Sequence, residues 1–355
     1  DLPAMGQAGR YAALPGGEGV IPVIRNTQEL PGGRSAQVLA LDAAGVGERV
    51  PLRADLRDGR EMRELFAPLS KPSVPEAGGI PLPGKPQRVD LDVELRVSGV
   101  GSGRPGIGLL LRDRFGLTYR TPMVQLPATG AATTSVDLDA LTGAPLGSAA
   151  APLTLAGIAL SYGAGDATSD FRKGEPVAAG SAELTVHRLA VADSSAGRAE
   201  PVAAPAGWTL SAPALTDGSP AAELLPDAQD GSDLLKLRYR GGHEAKAGIQ
   251  LALTPPGVRG AAEVPGIATR AYLAGVGAAV GDLVPVPLGG VSVPVRITAA
   301  IGSLPVAGDT ALAVDLGSVG GLLAAGGARE LPAPTEWWLP AKSAADTAPA
   351  RAGAE

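Results

Sequence analysis

The sequence predicts a mainly β protein of the α+β class: a jelly-roll-like antiparallel β-sandwich inserted in, or packed on, a smaller α+β outer domain with a few short helices. Three observations carry that expectation. Apolar residues make up 45% of the 355-residue chain but aromatics only 3%, so Ala, Val and Leu must fill the core. The 50 Gly and 33 Pro interrupt the apolar runs too often for long helices and favour many short strands joined by turns. Period-two alternation completes the case: Val89, Leu91, Val93 and Leu95 alternate with Asp90, Asp92, Glu94 and Arg96, the pattern of a half-buried strand with its charges facing water. The length supports two or three domains, each able to bury its own core.

Residues 1–19 are rich in Gly, Pro and Ala without periodicity and read as a flexible lead-in. Residues 20–70 form the first part of the α+β domain, with strands expected at 20–25, 36–42 and 49–56. A helix follows, because Met62, Leu65, Phe66 and Leu69 share one face of a 3.6-residue period, with Asp58 and Glu61 as a capping-box-like start. Residues 71–87 carry five prolines and read as a linker without regular structure. Residues 88–195 form the sandwich, with strand-like runs at 107–115, 117–125, 133–138, 153–162 and 182–191 between Gly, Pro, Ser and Asp. A second linker at 196–206 opens a segment, 196–256, that fits either a second small sheet or an extension of the sandwich. Residues 257–340 form the second part of the α+β domain. There, 267–276 is expected to be helical and stopped by Gly275 or Gly277, and 283–288 and 291–297 pair around Gly289-Gly290, suited to a primed turn. Pro285, Pro287 and Pro294 mark that hairpin as a sheet edge. A further helix is expected over 318–325 behind Asp315, and 341–355 reads as a disordered tail.

Net charge is −6 and Lys and Arg form no long cluster, which disfavours a nucleic-acid surface and a polybasic lipid-binding patch. With no cysteine and two histidines, His187 and His243, disulfide frameworks, thiol catalysis and Cys/His zinc sites are disfavoured. No window approaches the roughly 20 apolar residues of a membrane-spanning helix, and no signal peptide precedes the first elements; the chain reads as soluble.

The candidate chemistry is thin. Gly275, Gly277 and Gly281 have the wrong spacing for a dinucleotide loop, and Pro83-Gly84-Lys85-Pro86 is too short and proline-bound for a phosphate loop. His187 sits in an alternating strand and His243 follows Gly241-Gly242, settings that fit surface histidines better than a hydrolase triad. Asp90/Asp92 and Asp137/Asp139 lie two apart, on one strand face, but the aromatics a sugar cleft would need are few: Phe115, Tyr119, Tyr162 and Phe171. A structural calcium held by these aspartates is the alternative to solvated strand faces. Catalytic, cofactor-binding and metal residues are therefore expected to be none. Trp337 and Trp338, adjacent on a strand, must point to opposite faces; one is expected to close the core and the other to pack on a neighbouring domain, against the alternative of an interfacial belt at a membrane.

The last quarter of the chain carries a likeness. Val264-Pro265-Gly266-Ile267 opens it; Gly281-Asp282, the Gly289-Gly290 turn, Ile301-Gly302-Ser303-Leu304-Pro305, the acidic strand ending at Asp315 and Glu336-Trp337-Trp338-Leu339 follow in order. This series resembles the extracytoplasmic domain of actinobacterial FtsX-like (MacB-related) ABC transporter permeases. The resemblance implies a non-catalytic outer domain of a membrane protein, excised from between flanking membrane helices as the start at Asp1 and the Ala-rich end suggest. Its partners would be the transmembrane helices of the same permease, a separate cytoplasmic ATPase subunit acting indirectly, and an extracellular substrate or protein. The alternative is a secreted or surface-anchored sandwich that binds carbohydrate or a cell-wall ligand, and a hydrolase is a third reading.

Overall fold

The computed structural model describes residues 2–70, 78–98, 105–163, 181–203, 205–215, 218–226, 233–240, 248–258, 262–288, 290–326 and 331–340. In chain order, helix α1 (Ala4–Ala12) precedes the hairpin of β1 (Ile21–Leu30) and β2 (Arg34–Leu41), then helices α2 (Ala43–Arg49) and α3 (Met62–Ser70). The sandwich strands follow: β3 (Ile80–Leu82), β4 (Arg88–Ser98), β5 (Gly106–Arg112), β6 (Thr118–Arg120), β7 (Val124–Gln125) and β8 (Gly130–Asp137). After helix α4 (Leu138–Thr142) come β9 (Leu153–Tyr162), β10 (Ser181–Ala192), β11 (Glu200–Pro201), β12 (Thr209–Ser211), β13 (Ala222–Leu224), β14 (Leu235–Arg240) and β15 (Ile249–Thr254). The chain closes with β16 (Val264–Thr269), α5 (Arg270–Val276), β17 (Leu283–Leu288), β18 (Val291–Ile301), β19 (Ala311–Asp315), α6 (Leu316–Ala325) and β20 (Glu336–Trp338).

The two ends of the chain build one seven-stranded sheet, in the order β17-β18-β16-β19-β2-β1-β20. Its β2/β19 and β16/β18 neighbours are parallel and the rest antiparallel. The sheet curls until β17 returns towards β1, where Asn26 Nδ2 donates to the Pro287 carbonyl at 3.0 Å. Three strands run straight into helices through side-chain caps. Asp42 accepts from Gly45 N (3.1 Å), Thr269 from Tyr272 N (3.2 Å) and Asp315 from Ser318 N (2.9 Å), each satisfying an amide the helix start leaves without a partner. Asp315 is buried, which pushes its carboxyl up, while its bonds from Ser318 and Ala43 N pull the other way. On one face α2 and α3 cover Ile21, Val23, Leu39, Ile267 and Ala313. On the other, Tyr272, Leu316, Val319 and Leu323 close over Val38, Val264, Val286, Val295 and Leu312.

The middle of the chain forms two antiparallel sheets, β13-β14-β10-β4-β8 and β12-β15-β9-β5-β6, with β11 pairing β10, β3 pairing β9 and β7 pairing β5. Inward residues of both sheets share one core: Leu91, Leu95, Leu109, Ile158, Leu160, Leu184, Leu237 and Leu251. The principal strands alternate between the sheets along much of the chain, the jelly-roll-like feature of the fold. The class is thus mainly β with short helices, as the sequence predicts.

Several local expectations need correction. Residues 4–12 are a helix, not a flexible lead-in, because Gly6 and Gly9 let its backbone press onto the sandwich. Residues 49–56 form the end of α2 and a 3-10 turn over Ala54–Leu56 instead of a strand; α2 itself, capped by Asp42, occupies a stretch for which no element was expected. The Met62, Leu65, Phe66 and Leu69 face is buried as expected, but Asp58, with φ at 56°, pairs with Arg270 at 2.5 Å and does not cap it. Ile80–Leu82 and Glu200–Pro201 pair with the sandwich despite their proline-rich surroundings. Residues 267–269 belong to β16, and α5 starts only at Arg270, where the Thr269 cap lies; it stops at Gly277, φ 70°. The open alternative for 196–256 resolves towards extension, since β14 joins β10 and β12 and β15 join β9's sheet. The β17–β18 hairpin pairs from Leu283↔Arg296 to Leu288↔Val291, at the sheet edge. His243, Phe171, Gly289 and residues 341–355 lie outside the described residues.

Candidate functional site

The residues singled out for chemistry are dispersed and occupied by protein partners. His187 stands on β10 facing solvent, its Nδ1 2.6 Å from Asp233 Oδ1 and its Nε2 3.7 Å from Glu94 Oε2. Asp90 accepts from Arg88 Nε (2.9 Å) and Ser135 Oγ (2.7 Å); Asp92 accepts from Arg188 Nε (2.8 Å) and Thr133 Oγ1 (2.7 Å). Asp137 caps α4 through Ala140 N at 3.1 Å. Such a ladder of ion pairs and hydroxyls is how a sheet carries charge on its wet face. Among the described residues, no group of three or more His, Cys, Asp and Glu could hold a metal ion. Gly275 lies within α5 and Gly277 ends it, while Gly281 N donates to the Ile297 carbonyl (2.8 Å); the series terminates a helix and enters a hairpin, the reverse of a dinucleotide turn.

The structure instead brings three distant parts of the chain together where the sandwich meets the α+β unit. The loop from β5 to β6 is organised by Asp113. Its Oδ1 accepts from Phe115 N (2.9 Å) and Leu117 N (3.0 Å), and its Oδ2 accepts from the Tyr119 hydroxyl (2.9 Å). Asp113 is only 5% exposed, and burial pushes its carboxyl up to about 7 against the pull of those three bonds and of Arg114. The same burial, reinforced by Asp113, raises the Tyr119 hydroxyl above its ordinary range. Gly116, at φ 78°, sits on the first turn of α6: a Cβ there would come within 3.2 Å of the Gly317 Cα.

This turn aims Phe115 at the last strand. Phe115 meets Trp337 edge-on at 5.9 Å, and the other side of Trp337 stacks on Tyr11 of α1 at 5.0 Å. The Trp337 indole Nε1 approaches Gln7 Oε1 at 3.4 Å. Arg114 lies 4.6 Å from the Phe115 ring centroid and reaches the Gly17 carbonyl at 3.4 Å. Trp338 points to the opposite face, against the α2–α3 cluster. One tryptophan thus packs on the sandwich and the other on its own unit, as adjacency on a strand requires.

Helix α1 completes the junction. Gly9 N donates to the Ser148 carbonyl at 3.0 Å, and a Cβ on Gly6 or Gly9 would lie 1.8 Å from the Thr142 carbonyl oxygen or 2.0 Å from that of Ser148. Met5 enters the sandwich core and Ala8 the α+β core. Beside the helix opens a cleft of about 440 Å³ bordered by Lys85, Gln87, Arg114, Asp139 and Ser148, in the size range of small-molecule pockets. Its charges are mixed, so it offers no single ligand class. Sequence reasoning missed this junction; the available signals were the Asp113-x-Phe115-Gly116 turn and the paired glycines of α1.

The edge of the seven-stranded sheet beside the junction also gathers the first and last strands. Ile21 pairs with Trp338, Pro22 with Trp337 and Val23 with Glu336. Glu336 forms an ion pair with Arg25 and accepts from Trp338 Nε1 at 2.8 Å, so its carboxyl is held below its ordinary range. Comparison of the chain with family models, curated proteins and solved structures finds no match.

Proposed function

We propose that the chain is the non-catalytic outer, extracytoplasmic part of an FtsX-like ABC transporter permease, coupling membrane-helix motion to an external substrate or partner. The observation that carries this reading is the pairing of β1 with β20. A loop held between two membrane helices must leave the bilayer and return to it close together, and antiparallel neighbours at one sheet edge meet that requirement. The resemblance of residues 264–339 to the outer domain of that family supports this reading. Among the described residues no helix is long and apolar enough to cross a membrane, so the spanning helices and the ATPase would lie outside this chain.

The junction supports the coupling role. Trp337 belongs to β20 and α1 precedes β1, and both grip the sandwich through Phe115, Thr142 and Ser148. A movement of the flanking segments would reach the sandwich through these contacts, a rigid-body mode of transmission. The test is the location of the complete gene product, tagged and expressed in its own host. Recovery in the membrane fraction, with residues 20–340 cleaved by protease added outside the cell and an ATPase subunit copurifying, is expected. Recovery as a freely secreted protein overturns the proposal in favour of a free-standing sandwich that binds carbohydrate or cell wall.

A further inference from the structure

One sheet edge lacks the devices that keep edges from pairing. An edge strand presents unpaired amides and carbonyls, and proteins blunt it with proline, lysine, a bulge or brevity. Of the rims of the seven-stranded sheet, β17 carries Pro285 and Pro287 and β20 spans three residues. In the sandwich, β6, β12 and β13 span three residues each. Strand β8 differs. It runs for eight residues without proline or lysine, and it pairs with β4 from Leu95↔Gly130 to Arg88↔Asp137 without a bulge. Among the described residues, no backbone group bonds to its outer side.

The direction of its backbone groups follows from one bond, Leu138 N to the Gln87 carbonyl at 2.8 Å, a step beyond the ladder. Hydrogen-bonded and non-bonded pairs alternate along an antiparallel ladder. Ala132, Thr134 and Val136 therefore exchange bonds with β4, and the amides of Ala131, Thr133, Ser135 and Asp137 point out of the sheet. The side chains of Thr133 and Ser135 are held on the solvent face by Asp92 and Asp90 and leave the edge open. Thr134 supplies an independent observation: it is 6% exposed, and its hydroxyl is buried without a hydrogen-bond partner.

We propose that β8 pairs antiparallel with β8 of a second copy of this chain, about a two-fold axis through Thr134. In that register Thr133 faces the copy's Ser135, the pair exchanging two backbone hydrogen bonds, and Ala131 faces the copy's Asp137, which offers its amide while its carbonyl accepts within α4. Thr134 meets its own counterpart in a non-bonded pair, where opposed side chains approach closest and two threonine hydroxyls can bond. Because that hydroxyl is shielded from solvent in the single chain, the bond requires the Thr134 side chain to turn towards the edge on pairing. Ala132 faces the copy's Val136, so the apolar face towards the core continues from one sheet into the next. Charge permits the register, because Asp137 is the one charged residue of β8 and it opposes Ala131. On β4, Asp90, Asp92 and Glu94 are already paired with Arg88, Arg188 and Arg96. This self-complementarity, an isologous contact, is what favours a second copy over a foreign strand.

Sedimentation velocity of the full chain over a concentration series tests the proposal. A reversible dimer is expected. Ala131→Pro removes an outward amide at an exposed position and leaves the ladder to β4 intact, and it should weaken dimerisation about tenfold or more. Thr134→Val should also weaken the dimer while raising the melting temperature of the monomer, since valine needs no hydrogen-bond partner. A chain that remains monomeric throughout overturns the proposal and leaves the edge to a strand of another protein. A dimer indifferent to both substitutions overturns it equally, because the contact then lies elsewhere.

Discussion

Asp113 shows how one residue can hold a junction together at a cost that varies with pH. Its Oδ1 takes two backbone amides and its Oδ2 faces the Tyr119 hydroxyl, so a neutral acid or amide can keep all three contacts if Tyr119 becomes the acceptor. The folded carboxyl titrates at about 7, against about 3.9 for an unfolded aspartate. Between those values the folded state keeps a proton that the unfolded state has released. The stabilising contribution is therefore complete below about pH 4 and is lost as pH rises through about 7. Chemical denaturation is expected to show stability falling by on the order of a few kcal/mol from about pH 5 to about pH 8. Asp113→Asn should flatten that slope; an unchanged slope in the variant would assign the titration to another group. The turn was partly legible, since Gly116 breaks the run between two strand-like segments. The packing of that turn was not, because the helix that Gly116 meets, α6, lies some 200 residues later in the chain.

At the scale of elements, period and local chemistry have different reach. The helix over Met62–Ser70 follows from its apolar spacing, and the β17–β18 hairpin follows from a glycine turn between apolar strands. Helix α1 follows from neither; its glycines looked like disorder and are in fact the surface that docks. Gly9→Val is expected to cost roughly 1–3 kcal/mol by overpacking, read as a lower denaturation midpoint together with a change in tryptophan fluorescence as the Tyr11–Trp337 stack opens. A variant with unchanged midpoint and spectrum would mean that α1 does not hold the junction. For the tryptophan pair, Trp337→Ala is expected to destabilise by roughly 1–3 kcal/mol through the loss of two ring contacts and apolar burial. If replacing both tryptophans by Ala leaves the melting temperature unchanged, core packing is the wrong account and an interfacial role gains ground.

The whole molecule has one core between the sandwich sheets and others on the two faces of the seven-stranded sheet, and its parts meet through a small set of side chains. Leu117, Ala150, Phe115 and Tyr119 of the sandwich enter the α+β core, and Leu110 and Ala156 meet Ala324 of α6. With Trp337 truncated, calorimetry should resolve two transitions in place of one coupled transition; persistence of a single transition would show that the remaining contacts suffice for cooperativity. The sequence alone determined the β-rich class, the alternation of the central strands and the hairpin near the end, because these depend on spacing within ten residues or so. Only the tertiary structure decided that the first and last strands are neighbours, that α1 is a docked helix, and that Asp113, Tyr11, Phe115 and Trp337 form one site. Those facts rest on burial and register between segments more than a hundred residues apart, and no local pattern encodes which distant surface will exclude water from a given side chain.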